Sequence, residues 1–156
     1  MTNNDILRRL RYALQINDSQ VAAIFAHTGQ EVTRTEVANW LKGEGDGASE
    51  ELLDVALCNF LDGLIIERRG VRPDGRVPEP LKVLSRNEIL RKLRIAFEFR
   101  DEDMTAVFEK VEFVVTKAEL SSFFRKEGHR NYRKCPEQVL RKFIQGLSQD
   151  VEIESS

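Results

Sequence analysis

An ungapped shift of 83 positions lays this chain over itself. Asn4 falls on Asn87, Asp18 on Asp101, Phe25 on Phe108, Glu36 on Glu119, Phe60 on Phe143 and Gly63 on Gly146, and about 19 of the 63 pairs are identical. The opening NDILRRLRYAL of residues 4–14 returns nearly unchanged as NEILRKLRIAF at 87–97. A repeat of this length restricts the fold strongly, because one pattern of about 65 residues must build the same supersecondary unit twice. The 156 residues therefore divide into two small units rather than forming one ordinary domain.

Each copy reads as four helices. The first is expected to be capped by Asn4, with Ile6, Leu7, Leu10, Ala13 and Leu14 recurring at helical spacing and Arg8, Arg9 and Arg11 mostly off that stripe. The second begins near Asp18 and Asp101 and buries Val21, Ile24 and Phe25, or Met104, Val107 and Phe108. The third carries the clearest start signal. In VTRTEV, Thr33 and Glu36 form a capping box inside a Val32/Val37 staple, and VTKAEL repeats this with Thr116, Glu119, Val115 and Leu120. The fourth is expected to open around Ser49 in copy one and around Cys135 and Pro136 in copy two. Its stripes run Leu53, Ala56, Leu57, Phe60, Leu61, Leu64 and Pro136, Val139, Leu140, Phe143, Ile144, Leu147, with Gly70 stopping the first copy. Gly63 and Gly146 sit inside these stripes, where glycine costs about 1 kcal/mol relative to alanine, so a close helix crossing is expected there. The stretch VEFVV at 111–115 reads as a loop, and no segment alternates as a strand.

Pro73, Pro78 and Pro80 with Gly75 forbid a regular helix between the copies. The organisation expected is repeat 1 at 1–70, a Pro-rich linker at 71–85, repeat 2 at 86–149 and an acidic tail at 150–156. If extended at about 3.1 Å per residue, the ten or so central residues of the linker reach roughly 30 Å. A unit this small buries only about 60% of its unfolded surface, so the all-α repeats are expected to pack as a two-lobed body with a pseudo-twofold.

Composition matters chiefly through charge. The whole chain is at −2, but residues 1–70 carry 7 basic against 11 acidic side chains, while residues 86–156 carry 14 against 13. Without the tail acids Asp150, Glu152 and Glu154 the second half is at +4, so the halves present different electrostatic faces. Cys58 and Cys135 are too few for a disulfide framework and are expected as free thiols. With no apolar span and no signal-peptide core, the expected address is cytoplasmic, with no membrane partner.

No catalytic, cofactor-binding or metal-ligating constellation is recognised. His27 and His129 have no partners at ligand or triad spacing. Cys135, at a helix N-terminus beside Arg133 and Lys134, is expected to have a lowered pKa if it is reactive and otherwise to be a turn residue. KGEGDGASEE at 42–51 lacks a phosphate-loop signature and carries acids, so it reads as a mobile surface loop. RKEGHRNYRK at 125–134 reads as a different object. Arg125, Lys126, Arg130, Arg133 and Lys134 around Tyr132 form a candidate contact for an anionic partner, against the alternative of a solvated loop. Arg8, Arg11, Arg91 and Arg94 recur at matching positions, either as ion pairs to nearby acids or as two equivalent contact sites.

QVAAIF followed by VTRTEVANWLKGEG resembles the helix-turn-helix of phage-repressor-type DNA-binding domains, apart from a connection of about seven residues where that family has a few. That resemblance makes Arg34, Thr35, Asn39 and Lys42, with Lys117, Ser121, Ser122 and Arg125, the exposed side of a recognition helix and candidate nucleic-acid contacts. Taken with CPEQVLRKFIQGL at 135–147 and the weaker LLDVALCNFLDGL at 52–64, the paired NDILRRLRYAL and NEILRKLRIAF resemble the YehS-like family of bacterial proteins, built from a tandem domain of unknown function. The resemblance covers both copies and implies a bacterial cytoplasmic setting without an established activity. The function expected is a non-enzymatic binding or regulatory module for a protein or nucleic-acid partner. A helix-turn-helix-like nucleic-acid binder comes second and a small-molecule enzyme a distant third.

Overall fold

A computed structural model describes the backbone of residues 1–43 and 45–155 and the side chains of those residues through 148. Among the described residues the secondary structure is entirely helical: α1 (Asn3–Leu14), α2 (Asp18–Ala26), α3 (Arg34–Leu41), α4 (Asp54–Arg69), α5 (Arg86–Phe97), α6 (Asp101–Glu109), α7 (Lys117–Phe124) and α8 (Glu137–Ser155). The chain divides into two units, Met1–Leu84 and Ser85–Ser156, with four helices each. None of the described helices is long and apolar enough to cross a membrane. The backbone of α8 runs on through the stretch expected as an acidic tail; the side chains of Asp150, Glu152 and Glu154, and Glu44, lie outside the described residues.

Helix starts follow from short side-chain motifs, with two corrections. Thr2, not Asn4, caps α1: its hydroxyl accepts from Asp5 N–H at 3.1 Å, and the Asp5 carboxylate accepts from Thr2 N–H at 2.9 Å. Ser85 does the same for α5 by accepting from Glu88 N–H at 3.1 Å. Because the preceding hydroxyl residue serves the helix end, the asparagine side chains are released for tertiary work. The boxes Thr33/Glu36 and Thr116/Glu119 form as expected. The second correction concerns α4, which starts at Asp54 rather than around Ser49. Leu52 N–H donates to Asn4 and Leu52 O accepts from Asn3, so the chain is held extended up to Leu53. Leu52 is consequently the buried residue and Leu53 is 62% exposed.

Each unit wraps its helices around one aromatic knot. In the first, Phe25 lies 5.4 Å from Trp40 and 5.5 Å from Phe60, ring centroid to centroid, all three buried. In the second, Phe108 and Phe143 pack at 5.6 Å with Phe99 6.4 Å from Phe143. The glycines set how closely the helices approach. A Cβ on Gly63 would sit 2.1 Å from Ile24 O, and one on Gly146 2.4 Å from Val107 O, so α2 on α4 and α6 on α8 cross backbone to backbone.

The C-terminal end of the linker is fastened to its own unit. Leu81 N–H donates to Cys58 Sγ at 3.3 Å, Leu84 N–H to Asp54 Oδ2 at 2.9 Å, and the Leu84 side chain is buried.

Candidate functional site

The residues that make the two opening helices look alike act inside each unit. Asn4 Nδ2 donates to Trp40 O (2.9 Å) and Glu50 O (2.7 Å), while its Oδ1 accepts from Leu52 N–H (2.9 Å). Asn87 makes the same three bonds 83 positions on: Nδ2 to Phe123 O (3.1 Å) and Arg133 O (2.8 Å), and Oδ1 from Cys135 N–H (2.9 Å). One amide thus ties the first helix, the end of the third and the segment entering the fourth. Arg8 Nη1 donates to Lys42 O at 3.0 Å and Arg91 Nη2 to Phe124 O at 3.2 Å, satisfying carbonyls at the ends of α3 and α7. Arg11 pairs with Asp18 at 3.1 Å and Arg94 with Asp101 at 2.7 Å, binding each first helix to the start of the next. Arg8, Arg11, Arg91 and Arg94 are therefore committed to intramolecular bonds.

The loop after the third helix is also duplicated, although the sequence reads as two different objects. In unit one, Asp46 N–H donates to Gly43 O (3.2 Å), Ser49 N–H to Asp46 O (3.0 Å) and Glu50 N–H to Asn39 O (3.2 Å). In unit two, His129 N–H donates to Lys126 O (2.9 Å), Tyr132 N–H to His129 O (2.9 Å) and Arg133 N–H to Ser122 O (3.1 Å). Gly45 and Gly128 occupy the same left-handed position, with φ of 89° and 95°. The two loops, expected to be different objects, share one set of turns. What differs is charge: Glu50 and Glu51 in the first copy stand where the second has Arg133 and Lys134.

In unit two this loop and α7 enclose an open groove of about 710 Å³. Glu119, Ser121 and Ser122 line the helix side; Arg125, Arg130, Asn131, Tyr132 and Arg133 complete it. The side chains of Arg125, Arg130 and Arg133 are exposed and, among the described residues, make no ion pair or hydrogen bond. The groove joins two separately expected sets, the anionic-partner residues and Ser121 from the nucleic-acid set. Lys126 and Lys134 are exposed outside its lining, as is Lys117. Ser122 is buried and donates to Glu119 O, so it does not belong to an exposed recognition face. Arg34 and Thr35 are exposed on α3, Asn39 is half-buried beside Glu50 at 3.4 Å, and Lys42 is half-buried, its carbonyl taken by Arg8.

Partial burial, with the carboxylates of Glu127 and Glu88, pushes the Tyr132 phenol above its ordinary pKa. Cys135 contradicts the expectation of a lowered pKa. Its side chain is buried, and that burial pushes the thiol up to about 11 despite the nearby Arg86 charge. Cys135 occupies the place of Leu52 and behaves as its small apolar equivalent. His27 pairs with Glu67, and His129 Nδ1 accepts from Asn131 N–H at 3.0 Å within the loop. Among the described residues no cluster of three or more His, Cys, Asp or Glu is placed to hold a metal. Sequence patterns mark neither Asn131 nor the anchoring Asn87 as a site residue; the one signal for Asn87 is its identity with Asn4.

Residues 3–70 and 86–151 each match the family described as a protein of unknown function, DUF1456. The chain belongs to the DUF1456 family. It is also 36% identical over 148 residues to the uncharacterized protein YehS of Escherichia coli strain K12, with 95% of each chain covered. No solved structure matches it. Each DUF1456 match contains one asparagine clamp and one pinned loop, so the family unit corresponds to the duplicated four-helix unit.

Proposed function

We propose that this DUF1456 protein is a non-enzymatic binding module that holds an anionic stretch of a macromolecular partner in the groove of its second unit. The observation carrying this reading is the charge reversal on a duplicated scaffold. The same turns and the same asparagine clamp carry Glu50 and Glu51 in one unit and Arg133 and Lys134 in the other, so the fold does not require these positions to be basic. Arg133 has its backbone fixed at both N–H and C=O while its guanidinium stays unengaged, a preorganised donor for an anion. The groove's cations are guanidiniums, which keep their protons near neutrality, and its phenol is held protonated, so these groups donate hydrogen bonds rather than exchange protons. A cytoplasmic setting, in keeping with Cys58 and Cys135 being buried and not joined in a disulfide, belongs to the same proposal.

A second reading, a helix-turn-helix-like nucleic-acid-binding protein, draws support from Ser121 on α7 facing the same groove as the arginines. Retention on immobilised heparin at low salt tests the primary reading. The protein is expected to be retained despite its net charge of −2, and Arg130→Glu with Arg133→Glu is expected to pass unretained. Equal elution of both proteins would remove the reading.

A further inference from the structure

Resting on the anionic-groove reading, we infer that the occupant is a single-stranded nucleic acid, bound through its phosphodiester backbone with a base stacked on Tyr132. Three unengaged guanidiniums, those of Arg125, Arg130 and Arg133, border one groove. Their planar forks match phosphate oxygens in pairs, which a compact ammonium does not. Tyr132, half-buried among them, supplies the aromatic face on which single strands stack, and stacking tolerates any base. Ser121 and Asn131 add neutral groups that donate and accept, fitted to sugar hydroxyls and base edges. An acidic peptide would use the guanidiniums but has no use for the ring. Arg133 N–H is bonded to Ser122 O, so the loop is fixed beside the C-terminal part of α7 and the guanidiniums border a groove, a setting that suits a threaded strand better than a helix entering a major groove.

The test is fluorescence anisotropy on the full chain at 50 mM salt, with labelled 12-mers of oligo(U) and oligo(dT), a 12-base-pair duplex and a Glu/Asp-rich 12-residue peptide. The single strands are expected to bind tightest, with the ratio between oligo(U) and oligo(dT) showing whether RNA or DNA is preferred. Three phosphate contacts predict a log–log salt slope near −2, or about a 20-fold loss between 50 and 200 mM. Arg130→Glu with Arg133→Glu should lose at least about 10-fold. Tyr132→Ala should lose at least about 5-fold while Tyr132→Phe, which keeps the ring, stays within about twofold. Circular dichroism of each variant checks that it is folded. Tighter binding of the duplex or peptide, or equal affinity of Tyr132→Ala and Tyr132→Phe, would overturn the inference while sensitivity to the arginine reversal would leave the anionic groove standing. Failure of every probe to bind, or affinities indifferent to that reversal, would overturn both.

Discussion

Cys135 lies at the entry to a helix beside Arg133 and Lys134, a setting that activates a thiol in contact with water. Its burial reverses the outcome, since a thiolate there would lose its hydration, and the thiol rises to about 11. Peptide mapping after iodoacetamide at pH 8 should find Cys135 alkylated at least about 100-fold more slowly in the folded protein than in urea, from the two-unit difference in thiolate fraction alone. The sign of the stability effect follows. The folded state holds this proton more tightly than the unfolded chain, so the contribution, about 3 kcal/mol, is complete below pH 9 and disappears as pH climbs through 11. Asn87 shows the opposite use of burial. It is 4% exposed with both amide protons and its carbonyl oxygen bonded, so Asn87→Ala strands two carbonyls and one N–H and should cost about 2–4 kcal/mol in urea titration. Asn4→Ala, at a half-buried site where water can substitute, should cost less.

Among the elements, the capped third helices and the glycine crossings are legible in the sequence because their causes are local. Thr33 with Glu36 needs only a three-residue spacing, and a glycine inside an apolar helical stripe is costly unless a neighbouring backbone needs the space. Gly63→Ala and Gly146→Ala should therefore each destabilise by about 1–3 kcal/mol or more, measured by urea unfolding, because the added Cβ meets backbone carbonyls that cannot rotate away. The starts of α1 and α4 escape a local reading for one shared reason. Asn4 looks like a cap by residue type, and Ser49 by type and position, yet Asn4 is recruited by Glu50, Trp40 and Leu52, which are distant in sequence. The Thr2/Asp5 spacing is itself local, but what Asn4 does once Thr2 caps the helix is decided by partners that only the packed chain brings to it.

At the scale of the whole molecule, a duplicated scaffold has acquired two charge characters. Arg130 and Arg133 align with Gly47 and Glu50, so their reversal to glutamate should leave the thermal midpoint within about 2 °C of the unaltered protein while anion binding falls; surface changes of this kind stay within about 0.5 kcal/mol. A scanning calorimetry trace separates that outcome from simple destabilisation. The sequence by itself determined the duplication, the four-helix content of each unit, the close glycine crossings and the uneven charge, because each follows from spacing, residue type or identity along the chain. Only the tertiary structure decided which polar residues are free to bind. Arg8, Arg11, Arg91 and Arg94 repeat conspicuously but are each tied to an internal carbonyl or carboxylate, while the guanidiniums of Arg125, Arg130 and Arg133 make no such bond among the described residues. A hydrogen bond is settled by which acceptor folding brings within about 3 Å, and that distance is not written in any local stretch of the sequence.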